Sequence, residues 1–197
     1  MKKILFNNTH YLTDSVIMGI KTQTRRLIPF KTLTKYGVNK HTFDSRKSDL
    51  LRDAAYKIGD KIAVAQPYRE CVAYIKSLEE FRSYSWAEIE AHLKQLSGWN
   101  NPMFVKAEWM PYQIEITNVR AERLQDITNQ DCMDEGIRLH EVKGCPPFYF
   151  GGHYHSYDTP KEAFAVLIDA ISGKGTWEKN AYAYVYEFKV VKNGIGS

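Results

Sequence analysis

The sequence predicts an α+β fold in which short strands and short helices alternate irregularly, without the repeated strand–helix–strand order of a doubly wound sheet. Hydrophobic residues make up 44% of the 197 residues and charged residues 25%, as in an ordinary globular chain. Segments with alternating apolar residues occur near both ends and in the middle. Short segments with helix-capping signals lie between them. This arrangement favours a small mixed β-barrel with flanking helices.

The predicted strands are short, and most are bounded by a turn residue or a proline. They are "KILF", "KTQTRRLI" before Pro29, "GDKIAVAQPY" up to Pro67, "PYQIEITNVRAERL" and "AYAYVYEFKV". Residues two apart point the same way along a strand, so the last segment places Tyr182, Tyr184, Tyr186 and Phe188 on one face. That face is more typical of a core or barrel wall than of a base-stacking platform.

Capping signals in the sequence predict where the helices begin and end. "TDSVIMGI" ends at Gly19, and a helical region over 76–98 contains a capping box at Ser85 and Glu88 and closes at Gly98. "DITNQDCMDEGI" is capped by Thr128 and Asp131 and ends at Gly136, and "TPKEAFAVLIDAISGKG" starts with Thr159, Pro160 and Glu162. Residues 30–57 are polar and lack a clean period, which predicts a surface excursion.

Composition excludes several classes of protein. The three cysteines, Cys71, Cys132 and Cys145, are odd in number and form no CxxC pair, which argues against a disulfide framework or a zinc ribbon. The basic N-terminus is followed by an apolar run of only three residues, too short for a signal peptide. No run approaches 18 apolar residues, so we expect no membrane span and a cytoplasmic location. The net charge of +4 permits an RNA partner without requiring one.

The segment "GIKTQTRRL", residues 19 to 27, admits two interpretations. It can be an exposed edge strand whose threonines favour β structure and whose charges block further pairing. Alternatively, Arg25 and Arg26 offer donor forks for phosphate, and a buried Lys21 can act as a base for the Thr24 hydroxyl. Lys21 and Thr24 point to opposite faces of a regular strand, so they converge only if the chain bends between Gly19 and Thr24.

Four segments in order resemble the ASCH family, a branch of the PUA-like β-barrels, and most of all its phage-associated branch. "GIKTQTRRL" is similar to its G-x-K-T-x-T-x-R signature, and "IGDKIAV" to its G-D strand. "ITNVRAERLQDITNQDCMDEGI" resembles its V-R strand and following helix, and "TWEKNAYAYVYEFKV" its final strand. The resemblance implies one PUA-like domain over residues 1–197, with insertions near 30–57 and 70–105.

The resemblance also implies a cleft beside "GIKTQTRRL" that binds RNA or a modified nucleoside. A bacterial branch is similar to amidohydrolases that deacetylate N4-acetylcytidine. Its lysine, threonine and glutamate fall on Lys21, Thr24 and Glu135, as base, nucleophile and orienting group. Glu135 can equally be a solvated residue at a helix end. Besides Arg25 and Arg26, the predicted ligand contacts are Thr22, Tyr68 and Trp177.

Two further candidates are weaker. His140, Cys145, His153 and His155 fall in one loop region and offer zinc ligands, but their spacing fits no standard zinc pattern. We therefore expect neither a metal nor a cofactor. Trp177 precedes the last strand and can stack a base, although a tryptophan more often fills a core. The sequence does not predict an oligomeric state.

Overall fold

The computed structural model describes residues 1–151 and 155–192. Its strands are β1 (Lys3–Ile4), β2 (Gln23–Leu27), β3 (Lys61–Val64), β4 (Tyr112–Arg123), β5 (Arg138–Leu139), β6 (Phe148–Tyr149) and β7 (Tyr182–Lys192). Its α-helices are α1 (Leu12–Ile17), α2 (Phe30–Lys35), α3 (Phe43–Arg52), α4 (Tyr68–Ser77), α5 (Trp86–Lys94), α6 (Asn129–Asp134) and α7 (Pro160–Ser172). The predicted α+β class is confirmed.

Five strands form a mixed sheet in the order β1-β3-β4-β7-β2, and β5 pairs with β6 in a small second sheet. β1 runs parallel to β3, whereas the β3–β4 and β2–β7 pairs are antiparallel. The strand order begins at β1 and ends at β2, so within the described residues the sheet is open and not the closed barrel that the sequence predicted. A two-residue β1 offers too few backbone groups to close a barrel.

The chain divides into two compact units. The first unit contains Met1–Phe6, Lys61–Glu115 and residues 190–192, and the second contains Asn7–Asp60 and Ile116–Lys189. Two of the four boundaries fall within strands, one in β4 and one in β7, so each of these strands contributes residues to both units. The predicted insertion near 70–105 lies in the first unit, and the predicted insertion near 30–57 lies in the second.

The core of the first unit is built on α4 and α5. Its fully buried apolar members include Cys71, Ile75, Leu93 and Met110. The capping box predicted at Ser85 is present, but α5 ends at Lys94, before the predicted end at Gly98. The sequence prediction missed most of α4, because it started the helical region at residue 76.

The second unit packs the tyrosines of β7 against α3. Tyr184 and Tyr186 are buried, as predicted. The Tyr184 hydroxyl donates a hydrogen bond to the Leu50 carbonyl at 2.8 Å. Residues 30–57 lie mostly at the surface, as predicted, but they form α2 and α3 and not an irregular loop, and Phe43 and Leu50 anchor α3 in the core. Two buried apolar residues seven positions apart are too few to reveal a helical period.

Candidate ion-pair site and polar pocket

The backbone places Lys21 at the entrance to β2. Gly19 ends α1 with a φ of 72°, as the sequence predicted. The Lys21 amide then donates to the Ser15 carbonyl at 2.9 Å, and the Thr22 amide donates to the Asp134 carbonyl at 2.8 Å. These bonds tie the start of β2 to α1 and to the end of α6. Lys21 therefore enters the interior of the second unit beside the C-terminus of α6.

The local sequence also fixes Glu135. α6 begins with the predicted capping box of Thr128 and Asp131. Glu135 follows its last residue, and Gly136 adopts a φ of 103°. A Cβ at Gly136 would lie 3.6 Å from the Cβ of Lys21, so the lysine stem packs directly on this turn. The turn therefore brings the Glu135 carboxylate to the lysine.

Lys21 and Glu135 form a buried ion pair. Lys21 Nζ lies 2.5 Å from Glu135 Oε2 and 2.8 Å from the Glu135 carbonyl oxygen. The side chains are 2% and 5% exposed. Burial lowers the pKa of the Lys21 ammonium from its ordinary value of 10.5, and the negative charge of Glu135 opposes this shift. A lysine with a lowered pKa is easier to deprotonate than a surface lysine.

Arg25 joins the same carboxylate. Its Nη1 lies 3.2 Å from Glu135 Oε1, and its Nη2 lies 3.0 Å from Glu122 Oε2 and 3.4 Å from Asp131 Oδ2. Nη1 also donates to Gln23 Oε1 at 2.5 Å. The guanidinium is 1% exposed, so these partners and not a ligand take its terminal nitrogens. Of the two arginines predicted to contact a phosphate or the polar edge of a ligand, Arg25 is thus engaged in ion pairs inside the second unit.

Asp131 connects this cluster to a second arginine. It accepts a hydrogen bond from Gln23 at 2.9 Å and forms an ion pair with Arg120 at 2.9 Å. Arg120 also pairs with Glu122 and Glu187. Burial alone would raise the pKa of Asp131, but hydrogen bonds from Gln23 and Thr128 and the charge of Arg25 lower it to about 2. Asp131 therefore stays ionised at neutral pH.

Thr24 does not join the Lys21–Glu135 pair. It lies opposite Tyr186 in the β2–β7 register, whereas Gln23 lies opposite Glu187. Neighbouring residues of a strand point to opposite faces, so Thr24 and Gln23 lie on different faces of the sheet. In the described part of the chain, the Thr24 hydroxyl makes no hydrogen bond to Lys21 or Glu135. The structure brings two of the three predicted catalytic residues together.

The other predicted ligand residues are dispersed. Arg26 is exposed on β2. Trp177 is half-buried, and its ring packs edge-on against Phe164 with centroids 6.1 Å apart. Tyr68 belongs to the core of the first unit and is only 3% exposed, which corrects the prediction that it contacts a ligand. Tyr68 follows Pro67, and this local sequence does not distinguish a tyrosine in the core from one at the surface.

A polar pocket of about 320 Å³ opens beside the "GIKTQTRRL" segment. Its lining residues are mostly polar, and three of them carry carboxylates: Thr22, Gln23, Thr117, Asp131, Asp134, Glu187 and Phe188. Of these, the sequence had singled out only Thr22 as a ligand contact. The β2–β7 register that brings Glu187 to Gln23 could not be inferred from their positions in the chain.

Among residues 1–151 and 155–192, no group of three or more His, Cys, Asp and Glu side chains is arranged to hold a metal ion. His153, one of the candidate zinc ligands, lies outside the described residues. In the same ranges, no helix has the length and apolar character needed to cross a membrane.

No protein-family model, curated protein or solved structure matches the chain.

Proposed function

We propose that the protein binds a nucleoside or nucleobase in the polar pocket beside "GIKTQTRRL", as a PUA-like protein of the ASCH type. The observation that carries the proposal is the position of the pocket. Its wall includes Thr22 and Gln23, which lie within the segment that resembles the ASCH signature. A pocket of about 320 Å³ is within the range of small-ligand sites.

The charge of the pocket favours the base over the phosphate backbone. Asp131, Asp134 and Glu187 line it. Asp131 and Glu187 pair with arginines, so the carboxylate of Asp134 carries the charge that repels phosphate at short range. Carboxylates accept hydrogen bonds from amino groups, and the exocyclic amines of cytosine and adenine are such donors. The ion pairs of Arg25 support the same choice, because they occupy the guanidinium that would otherwise receive a phosphate. We therefore propose an amino-bearing nucleoside as the ligand class.

Titration by NMR tests this proposal with cytidine, adenosine, uridine and a short single-stranded RNA. We expect cytidine or adenosine to bind about tenfold more tightly than uridine, which lacks an exocyclic amine. Asp134→Asn should weaken binding of the amino-bearing nucleoside, because Asp134 lines the pocket. The matched control is Asp126→Asn, which removes an exposed charge outside the pocket lining. The absence of binding by all three nucleosides would exclude the proposed site.

A second candidate function is hydrolysis of an N-acyl nucleoside, favoured by the buried Lys21–Glu135 pair and the lowered pKa of Lys21. In this reaction N4-acetylcytidine and water give cytidine and acetate. Thr24 would attack the amide carbonyl, and Lys21 would accept the hydroxyl proton and pass it to the leaving amine, which departs as cytidine. Water would then hydrolyse the acetyl ester on Thr24, releasing acetate and restoring the hydroxyl. The first step requires Thr24 to reach Lys21 in the substrate complex.

Incubation with N4-acetylcytidine, followed by chromatography for cytidine, tests the second candidate. If the chain is an amidohydrolase, turnover is lost in Thr24→Val and in Lys21→Met, while both variants still bind cytidine. If wild-type protein binds cytidine but releases none from N4-acetylcytidine, the hydrolase is excluded and the binding proposal stands.

A further inference from the structure

The first unit contains a second pocket, distinct in lining and chemistry from the polar one. Its volume is about 420 Å³, and the lining residues combine apolar, acidic and aromatic side chains: Glu80, Phe81, Tyr84, Glu88, Ile89, His92 and Leu93. They come from a 3-10 turn, Glu79–Phe81, and from α5, with Tyr84 between them. All of these residues lie within the predicted insertion near 70–105.

Part of the pocket lining is apolar and belongs to the packed core of the first unit. Ile89 and Leu93 are 4% and 1% exposed and belong to the hydrophobic core of the unit. Phe81 packs edge-on against Trp109, with ring centroids 5.1 Å apart. The lining therefore has an apolar part, formed by Phe81, Ile89 and Leu93, on which a hydrocarbon group can pack.

Two aromatic rings form part of the wall. The centroids of Phe81 and Tyr84 lie 6.5 Å apart, with 52° between the ring planes. Tyr84 is 51% exposed, which leaves much of its side chain accessible to a ligand. The faces of such rings carry negative electrostatic potential and attract organic cations.

Two carboxylates add negative charge to the pocket, beside the negative potential of the aromatic ring faces. Glu80 Oε1 accepts a hydrogen bond from Trp109 Nε1 at 2.8 Å, and Glu88 Oε2 accepts from the Ser85 amide and hydroxyl, each at 2.7 Å. Because these donors are uncharged, they orient the two carboxylates without neutralising their negative charge. Among the described residues, neither glutamate forms a salt bridge.

The positive charge of the nearby Lys76 compensates part of this negative charge. Its ammonium donates hydrogen bonds to the carbonyls of Phe81, Arg82 and Tyr84. It thereby fixes the turn that carries both aromatic rings, and it influences Glu88 only through space.

We infer that this pocket binds a small organic ammonium ion that carries an apolar or aromatic group. The apolar group packs on Ile89 and Leu93, and the ammonium lies between the Tyr84 ring and the carboxylates of Glu80 and Glu88. This site is independent of the nucleoside pocket proposed above, and neither proposal depends on the other.

Three matched probes test the charge requirement: 2-phenylethylamine, 2-phenylethanol and phenylacetate. They share an aromatic ring and differ in carrying a cation, a neutral hydroxyl and an anion. We expect the amine to bind about tenfold more tightly than the alcohol in an NMR titration, with the anion weakest. The amine should shift the amide signals of Tyr84, Ile89 and Leu93. Equal affinities for amine and alcohol, or shifts confined to other residues, would overturn the inference.

Substitutions then test which residues cause the preference for the amine over the alcohol. In Glu80→Gln/Glu88→Gln the amine should lose its advantage over the alcohol, because glutamine keeps the hydrogen bonds to Trp109 and Ser85 without the charge. Glu90→Gln is the control, since Glu90 lies on α5, pairs with Lys94 and does not line the pocket. An unchanged preference in the double variant would contradict the assignment. Tyr84→Leu, at a half-exposed position, supplies an independent test and should weaken the amine more than the alcohol.

Discussion

Lys21 and Glu135 form an ion pair, 2.5 Å between Nζ and Oε2, that links the start of β2 to the end of α6 in the interior of the second unit. Glu135 also contacts Arg25 at 3.2 Å. One buried carboxylate is thus shared by two cations. Removing either partner of a buried pair leaves an uncompensated charge, which destabilises far more than the loss of a surface pair.

Lys21→Met should lower the free energy of unfolding by about 3–5 kcal/mol, because it leaves Glu135 with fewer partners in a buried site. Lys21→Met/Glu135→Gln should recover part of this loss, since the charge is removed together with its partner. Urea denaturation monitored by circular dichroism measures both. The control is Lys35→Met, which breaks an exposed pair with Asp53 and should have a much smaller effect. Equal effects at Lys21 and Lys35 would contradict the burial argument.

The ammonium of Lys21 should titrate below the ordinary lysine value of 10.5, because burial lowers its pKa. Lys35, whose pKa is raised by its hydrogen bond to Asp53, should titrate above it. Heteronuclear NMR of the two side-chain nitrogens gives both values. In Glu135→Gln, the pKa of Lys21 should fall further, because the carboxylate that raises it is gone.

The lowered pKa of Lys21 should also make the stability of the fold depend on pH in the alkaline range. Since the pKa of Lys21 is lower in the folded chain than in the unfolded chain, the folded state binds fewer protons between the two values. The contribution of Lys21 to stability should therefore rise as pH increases towards 10.5. The difference in unfolding free energy between wild type and Lys21→Met, measured against pH, reports this trend. A difference that falls with pH would mean that the pKa is raised.

Asp131 should make stability depend on pH in the acid range. Its folded-state pKa of about 2 lies below its ordinary value of 3.8, so its stabilising effect is complete above 3.8 and is lost as pH falls towards 2. Asp131→Asn should be less stable than wild type at neutral pH and should show a shallower loss between pH 4 and 2. Thermal unfolding at several pH values measures this, with Asp126→Asn as an exposed control. Parallel pH profiles for wild type and Asp131→Asn would contradict the prediction.

Gly98→Ala should destabilise the first unit. A Cβ at this position would clash with Cε2 of Tyr68 and lie 2.7 Å from its Cδ2, in a ring that the core holds in place. Overpacking of this kind costs about 1–3 kcal/mol, measurable by denaturant unfolding. The neighbouring exposed Ser97→Ala should have little effect. Adding Tyr68→Leu to Gly98→Ala should cost less than the sum of the two single changes, because the smaller side chain removes the clash.

Capping residues explain why α6 could be predicted from the sequence. Thr128 and Asp131 satisfy the first backbone amides of that helix locally, and Gly136 supplies the positive φ that ends it. The resemblance to the amidohydrolase branch singled out Glu135 at this end, and in the structure the Lys21 ammonium lies beside it. Local signals of this kind act within one turn of the chain, so they can be read directly from neighbouring residues.

The partners of Arg25 could not be predicted in the same way. They include Glu122, which lies 97 positions along the chain, and only the folded sheet brings the two together. The separation of Thr24 from Lys21, in contrast, follows from the alternation of a strand, and the resemblance to the amidohydrolases, not the spacing, grouped the two residues as catalytic. Contacts between residues of distant strands depend on how the strands pair. That pairing register cannot be derived from composition or from the spacing of residues along the chain.

The antiparallel pairing of β3 with β4 brings the two ends of the intervening helical segment together. Ala63 and Gln113 lie side by side, so the chain leaves the sheet and returns to it at neighbouring points. Doubling the length of a flexible closed loop costs only about 0.6 kcal/mol, so the connections around α4 and α5 can change in length at little cost. The buried faces of these helices cannot change as freely, because Cys71, Ile75 and Leu93 form one core with Ala63 of β3. Insertions should therefore be tolerated in the connections and not on the helix faces that pack on β3.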